Sequence, residues 1–232
     1  MLQRIRRWLH GKRAAALAEP GDLAGALALE AGYLCNRVMQ DYARMRTGRG
    51  WPSLFSSSVF QERLDAARHR AAPLCLVWVT RAARLAAHDM LAADDMRADR
   101  DLPVGGALAT WERAAHFDAT LQREALAALD RLKMVDGTAQ DDARAAIERL
   151  AERPPTDLRS MVSRPGAARF HAMLPLDPID KPDRRQGEEE VLRNLLRLVL
   201  AGTHARFVRD MDAAQIAGVS GNSPISGTPA PC

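Results

Sequence analysis

The sequence predicts an all-α protein: a single helical bundle of about six or seven helices with a proline-rich connector and a disordered C-terminal tail. Three observations carry this. Apolar residues recur at three-, four- and seven-residue steps along nearly the whole chain. No strand-like alternation flanks an Asn-Gly or Asp-Gly pair. Alanine is abundant while aromatic residues make up only 5% of the 232 residues, which suits helices that approach closely rather than interlock large side chains. A chain of this length buries a sizeable core, with a radius of gyration of about 17 Å.

The elements follow from local signals. Residues 1–20 form a basic amphipathic segment ahead of an all-α domain at 21–217. Residues 22–46 read as the first helix: Leu23, Leu27, Leu34, Val38, Tyr42 and Met45 share its apolar stripe, Asp22 is available as N-cap and Gly48 as terminator. Residues 47–57, rich in Gly, Ser and Pro, read as a loop. Ser58 and Gln61 have capping-box spacing and open a helix through Phe60 and Leu64 to about residue 69. Pro73 suits the first turn of the next helix, which starts with the apolar run 74–79 and reaches the acidic cluster near residue 101. That run alone is compatible with helix or a short buried strand; Ala82, Ala83, Ala86 and Ala87 beyond it favour helix.

After a turn at 102–106, a helix over about 108–135 places Trp111, Ala115, Asp118, Leu121, Ala125, Ala128 and Leu132 on one stripe, with Gly137 as C-cap. Residues 139–153 form another, burying Ala143, Ile147 and Leu150 until Pro154 and Pro155 stop it. A short helix fits 156–163. Pro165, Pro175, Pro178 and Pro182 then predict an irregular connector, ended by Gly187. Glu188, Glu189 and Glu190 suit the first turn of a last helix to about residue 214, with Leu192, Leu195, Val199 and Gly202 as its stripe. A lone helix cannot bury its own stripe, so it docks back on the bundle. Residues 218–232 hold no charge, three Gly and three Pro, and read as the flexible tail.

Charge sharpens the picture. The net +4 resides in residues 1–18, where Arg4, Arg6, Arg7, Lys12 and Arg13 face no acid; the rest of the chain is close to neutral. Nucleic acid is therefore a disfavoured partner. All but three of the 33 basic residues are arginine, a bias that GC-rich codons also produce. A charged fraction of 27% and a mean hydropathy of −0.25 exclude a disordered, collagenous or integral membrane chain. Cys35, Cys75 and Cys232 show no metal-type pairing. The apolar stretch Ala14–Ala18 is too short for a signal peptide, so the expected location is cytoplasmic, membrane-associated at most through the N-terminus.

Four groupings have the residue types that chemistry needs. In the leader, Ile5, Trp8 and Leu9 share a face flanked by Arg4, Arg6 and Arg7, a pattern that suits an anionic membrane surface, a partner protein or the bundle itself. Asp94, Asp95 and Asp99 spell D-D-x-x-x-D, with Asp95 and Asp99 on one helical face; two such carboxylates hold Mg²⁺ with positions left for a diphosphate. In this window the chain resembles the aspartate-rich helices of helical isoprenoid synthases, which implies a Mg²⁺-dependent enzyme acting on an isoprenoid-type diphosphate. Arg46, Gly48 and Arg49 are similar to a stretch of squalene and phytoene synthases, but the acids expected before it fall on Gln40 and Arg44.

His88 and Asp89 on one helix, with Glu112 and His116 on the next, have the donor types of a mixed metal shell. Arg81, Arg84 and His88 lie within one arc and suit a phosphate or carboxylate, or else structural pairing with acids such as Asp89 or Glu112. Nucleophile-elbow, Walker and dinucleotide-binding patterns do not occur in the sequence. The expectation that follows is a non-catalytic helical interaction protein, an adaptor, assembly factor or chaperone. It has no predicted cofactor and meets a protein partner or an anionic membrane through its N-terminus. The Mg²⁺ enzyme is the first alternative and a weak nucleic-acid binder the second.

Overall fold

The first helix, α1 (Leu23–Thr47), buries Leu27, Leu34, Val38 and Tyr42 as its periodicity requires, and adds Ala31, Cys35 and Met39 to the stripe. Met45, expected on the same stripe, is 61% exposed. Gly48 ends the helix at φ +54°, a left-handed conformation that favours glycine. This is a computed structural model that describes residues 23–98, 106–132, 137–150, 152, 157–177 and 182–210, without the side chains of 94–98, 106–111, 182 and 210. The basic leader and the C-terminal tail lie outside the described residues.

Residues 47–57 are not a loop. Gly48–Gly50 forms a 3₁₀ turn and Trp51–Ser56 a short helix, α2, with Pro52 in its first turn. The physical reason is apolar: Trp51 stacks on Phe55 at 4.9 Å between ring centroids and meets Phe60 edge-on at 6.0 Å, so the segment folds onto the next helix. The two helices expected on either side of Pro73 are one, α3 (Ser58–Ala98). Its start is capped from Ser57, one residue earlier than the capping-box spacing suggests, through the Phe60 N–H at 3.5 Å. Pro73 removes one helical hydrogen bond, to the His69 carbonyl, without ending the helix.

Burial on all sides explains why the helix runs through. Cys75, Leu76, Val77, Trp78, Val79 and Thr80 are consecutive and all buried, because α3 is the central helix, packed against α1, α2 and the five helices that follow it. An unbroken apolar run is what a helix buried all round needs, so 74–79 is helical.

α4 (Gly106–Arg131) buries Phe117, Asp118, Leu121, Ala125, Ala128 and Leu129; Ala115, expected inside, is exposed. Gly137 does not cap α4 but opens α5 (Gly137–Glu148), which with the turn after it buries Ala143, Ile147 and Leu150 as expected. α6 (Leu158–Met161) takes Asp157 as N-cap. The proline connector is more regular than its composition suggests. Pro165 sits in the first turn of α7 (Arg164–Ala172), where its missing N–H costs nothing, and Ser163 caps that helix by accepting from the Gly166 N–H.

Pro182 likewise opens the last helix, α8 (Pro182–Asp210), which runs straight through Gly187. α8 docks back on α1, α3, α6 and α7. Its buried stripe is Leu192, Leu196, Leu200, Thr203 and Phe207, with Leu195 and Val199 on its flank rather than at its centre. One contiguous apolar cluster joins all the long helices, and many of its members are alanines, as the low aromatic content predicts. Among the described residues no helix is long and apolar enough to cross a membrane.

Candidate functional site

Arg84 and His88, one turn apart on α3, do converge, and they converge on Asp118 of α4. Arg84 donates through Nε to Asp118 Oδ1 at 2.8 Å and through Nη2 to Oδ2 at 2.5 Å, while its Nη1 donates to the Leu150 carbonyl at 2.6 Å. His88 Nε2 lies 3.0 Å from Asp118 Oδ1. Burial pushes the Asp118 carboxyl up, but hydrogen bonds from His88 and Arg84, with their charges, hold it below the usual carboxylate range. This fork ties α3, α4 and the turn after α5 together. Neither acid anticipated as its partner takes part: Asp89 meets His204 of α8 at 3.0 Å, and Glu112 is exposed.

His116 is also exposed, so His88, Asp89, Glu112 and His116 do not assemble. Among the described residues no group of three or more His, Cys, Asp and Glu side chains could hold a metal ion. Asp94 and Asp95 fall in the last turns of α3 with undescribed side chains, and Asp99 lies outside the described residues. Arg81 is half-buried on α3. Arg4, Ile5, Arg6, Arg7, Trp8 and Leu9 are outside the description as well.

A second polar cluster closes one end of the bundle. The C-terminal half of α1 supplies Tyr42 and Arg46, α7 supplies His171, and the first turns of α8 supply Arg184 and Glu188. The Tyr42 hydroxyl donates to Glu188 Oε2 in a short hydrogen bond and stands 3.2 Å from His171 Nε2. Burial, then the bonded Glu188 carboxylate, raise the phenol well above its ordinary range, so Tyr42 keeps its proton. With that proton directed at Glu188, the Tyr42 oxygen accepts from His171, which fixes the Nε2–H tautomer. Glu188 also faces Arg46 Nε at 3.6 Å and Arg184 Nε at 3.4 Å. Burial lowers the His171 imidazole below its ordinary value; Glu189 and Glu188 act against this, and Arg185 and Arg46 act with it.

The third feature is the outer side of α8. Val191, Leu195, Leu198, Gly202 and Ala205 follow a four-three-four-three spacing, the heptad pattern of a helix-pairing seam. Val191 is 44% and Leu198 70% exposed, Ala205 is exposed, and Leu195 and Gly202 are half-buried. This seam lies on a different side of α8 from the buried stripe. Leu195 also packs against the apolar core and Gly202 lies beside the Arg206 side chain, so the exposed part of the row is Val191, Leu198 and Ala205. On the buried side, Glu30 of α1 accepts from Arg206 Nη2 at 2.6 Å, and Arg206 stacks over Tyr33, so α8 is pinned with its seam outward.

None of Tyr42, His171 and Glu188 stands out in the sequence. Tyr42 fits an apolar stripe, and its partners lie 129 and 146 residues away. The seam had a signal: α8 carries two apolar stripes, which a single-face reading merges into one. No protein-family model, curated protein or solved structure matches the chain.

Proposed function

We propose that the protein is a non-catalytic helical interaction protein that docks a partner helix along the outer seam of α8. The observation that carries this is the exposed heptad-spaced row from Val191 to Ala205, with Leu198 70% exposed at its middle. Scattered exposed apolar residues are normal on a protein surface; three exposed ones, Val191, Leu198 and Ala205, in one heptad register with the half-buried Leu195 and Gly202 are what a second helix packs against. The partner chemistry is an amphipathic helix with its own apolar seam.

Leu198→Glu tests this. The substitution lies on the surface, so the folded chain tolerates it, and it places a charge at the centre of the contact. In gentle native extracts of the producing cells, the wild-type chain should elute above its 25.4 kDa mass. The variant should elute at that mass. Identical elution of both contradicts the proposal.

The basic leader supports a second component, recruitment to an anionic membrane surface. Arg4, Arg6, Arg7, Lys12 and Arg13 each contribute about 1 kcal/mol near such a surface, with Trp8 at the headgroup level. Full-length protein should co-sediment with anionic vesicles and be released by salt, whereas a chain lacking residues 1–13 should remain in the supernatant. Equal recovery of the two forms would remove the leader from the account. The Mg²⁺ enzyme alternative keeps Asp94 and Asp95 but loses Arg84 as a phosphate ligand, since its guanidinium is committed to Asp118 and Leu150. A Mg²⁺-dependent thermal shift abolished by Asp95→Ala and Asp99→Ala would revive it.

A further inference from the structure

Beside the Tyr42 cluster, an open hollow of about 330 Å³ separates α2 and the start of α3 from the chain after α7. Leu54, Val59, Phe60 and Leu176 give it apolar walls, and Arg46 and Arg63 bring two guanidinium groups to it. The volume is at the small end of ligand sites, which run from about 300 to 1,000 Å³ and combine apolar walls with a few placed polar groups.

The two arginines are positioned but not saturated. Arg46 is held by its Nη2 bond to the Asp177 carbonyl at 2.7 Å and by Glu188 at 3.6 Å from Nε, and its side chain is only 21% exposed. Its Nη1 has no partner among the described residues. Arg63 meets the Asp177 carboxylate at 3.5 Å, with the two side chains 60% and 90% exposed, a pair too wet to be worth much. Asp177 thus places one carboxylate against the outer guanidinium while its carbonyl orients the inner one.

We propose that this hollow binds a small amphiphilic anion, a carboxylate or phosphate monoester with an apolar body. Arg46 and Arg63 hold the anionic head, Leu54, Val59, Phe60 and Leu176 enclose the body, and the head displaces the Asp177 carboxylate from Arg63. A guanidinium fork matches the planar or tetrahedral oxygens of such a head better than a point charge does. The apolar walls set the ligand apart from a bare inorganic anion, which leaves them in water. The site is separate from the α8 seam and stands without it.

Calorimetric titration of the full chain decides the matter, with octanoate and octyl phosphate below their aggregation concentrations as probes and 1-octanol and inorganic phosphate as controls. Both amphiphilic anions should bind; 1-octanol should be at least about tenfold weaker for want of a hydrogen-bonded charge, and inorganic phosphate at least about tenfold weaker for want of a buried apolar body. Arg46→Gln should weaken the anions about tenfold. Asp177→Asn, which removes the competing carboxylate, should tighten them about two- to fivefold. Val59→Glu, at a position 57% exposed, should weaken them by repelling the head.

Octanol binding as tightly as octyl phosphate would reduce the site to an apolar hollow, and inorganic phosphate binding as tightly would reduce it to a surface anion site. Either result overturns the proposal, as does the absence of binding by both amphiphiles. If Arg46→Gln fails to fold, Arg63→Gln on its exposed side chain decides: unchanged affinity there refutes the assignment.

Discussion

Asp118 is a carboxylate on a helix face that is otherwise apolar, and the cost of its burial is met by three donor atoms of Arg84 and His88. Asp118→Asn should therefore destabilise the fold by about 3 kcal/mol in chemical denaturation, because it leaves the Arg84 charge buried without its counter-ion. A loss below about 1 kcal/mol would mean that Arg84 reaches water. His171 makes the second residue-scale prediction. Its folded pKa lies below the ordinary value of 6.5, so the unfolded chain takes up a proton first as pH falls. Stability should be full above pH 6.5 and decline below it towards the lower, folded value. The Asp118 contribution, from a pKa held below its ordinary 3.8, is full above that value and is lost as pH falls from there through the lower, folded value. His171→Gln keeps a donor for the Tyr42 oxygen and should flatten the decline near pH 6; an unaltered profile would assign the acid sensitivity elsewhere. Tyr42, His171 and Glu188 stay invisible in the sequence because a contact across 129 or 146 residues leaves no local periodicity.

At the scale of the element, spacing alone located α1, the course of α3 after its apolar run, and the bodies of α4, α5 and α8. Gly48 ends α1 as the sequence suggests, but other glycines and prolines are not the breaks they resemble. Pro165 and Pro182 open helices, Pro73 is carried inside one, and Gly187 is crossed. In each case tertiary packing or a first-turn position offsets the local preference. α8 shows the converse difficulty, since a single apolar stripe was sought where there are two. The two faces differ sharply in what a substitution does. Leu196→Ala, inside the core, should cost about 2–5 kcal/mol and lower the Tm accordingly, whereas Leu198→Glu should change stability by no more than about 0.5 kcal/mol. Similar losses at both positions, read by thermal melts, would show that the seam is already buried.

Over the whole molecule, the all-α expectation holds, and its reason is visible in the core: alanines on α1, α3 and α4 let the helices close around the apolar centre of α3. The function proposed for the assembly is a surface property, not a constellation of reactive groups. Arg84 and His88 hold helices together, Asp89 and His204 join α3 to α8, and the row left facing outward is the α8 seam. The most direct test is in-cell photo-cross-linking from a benzophenone amino acid placed at Leu198, with a control at Arg184, whose side chain is 69% exposed on the same helix. A single discrete adduct from position 198, lost on Val191→Glu at a 44% exposed position of the same row and absent from position 184, is the predicted result. No adduct from position 198, or the same adducts from both positions, would contradict the account.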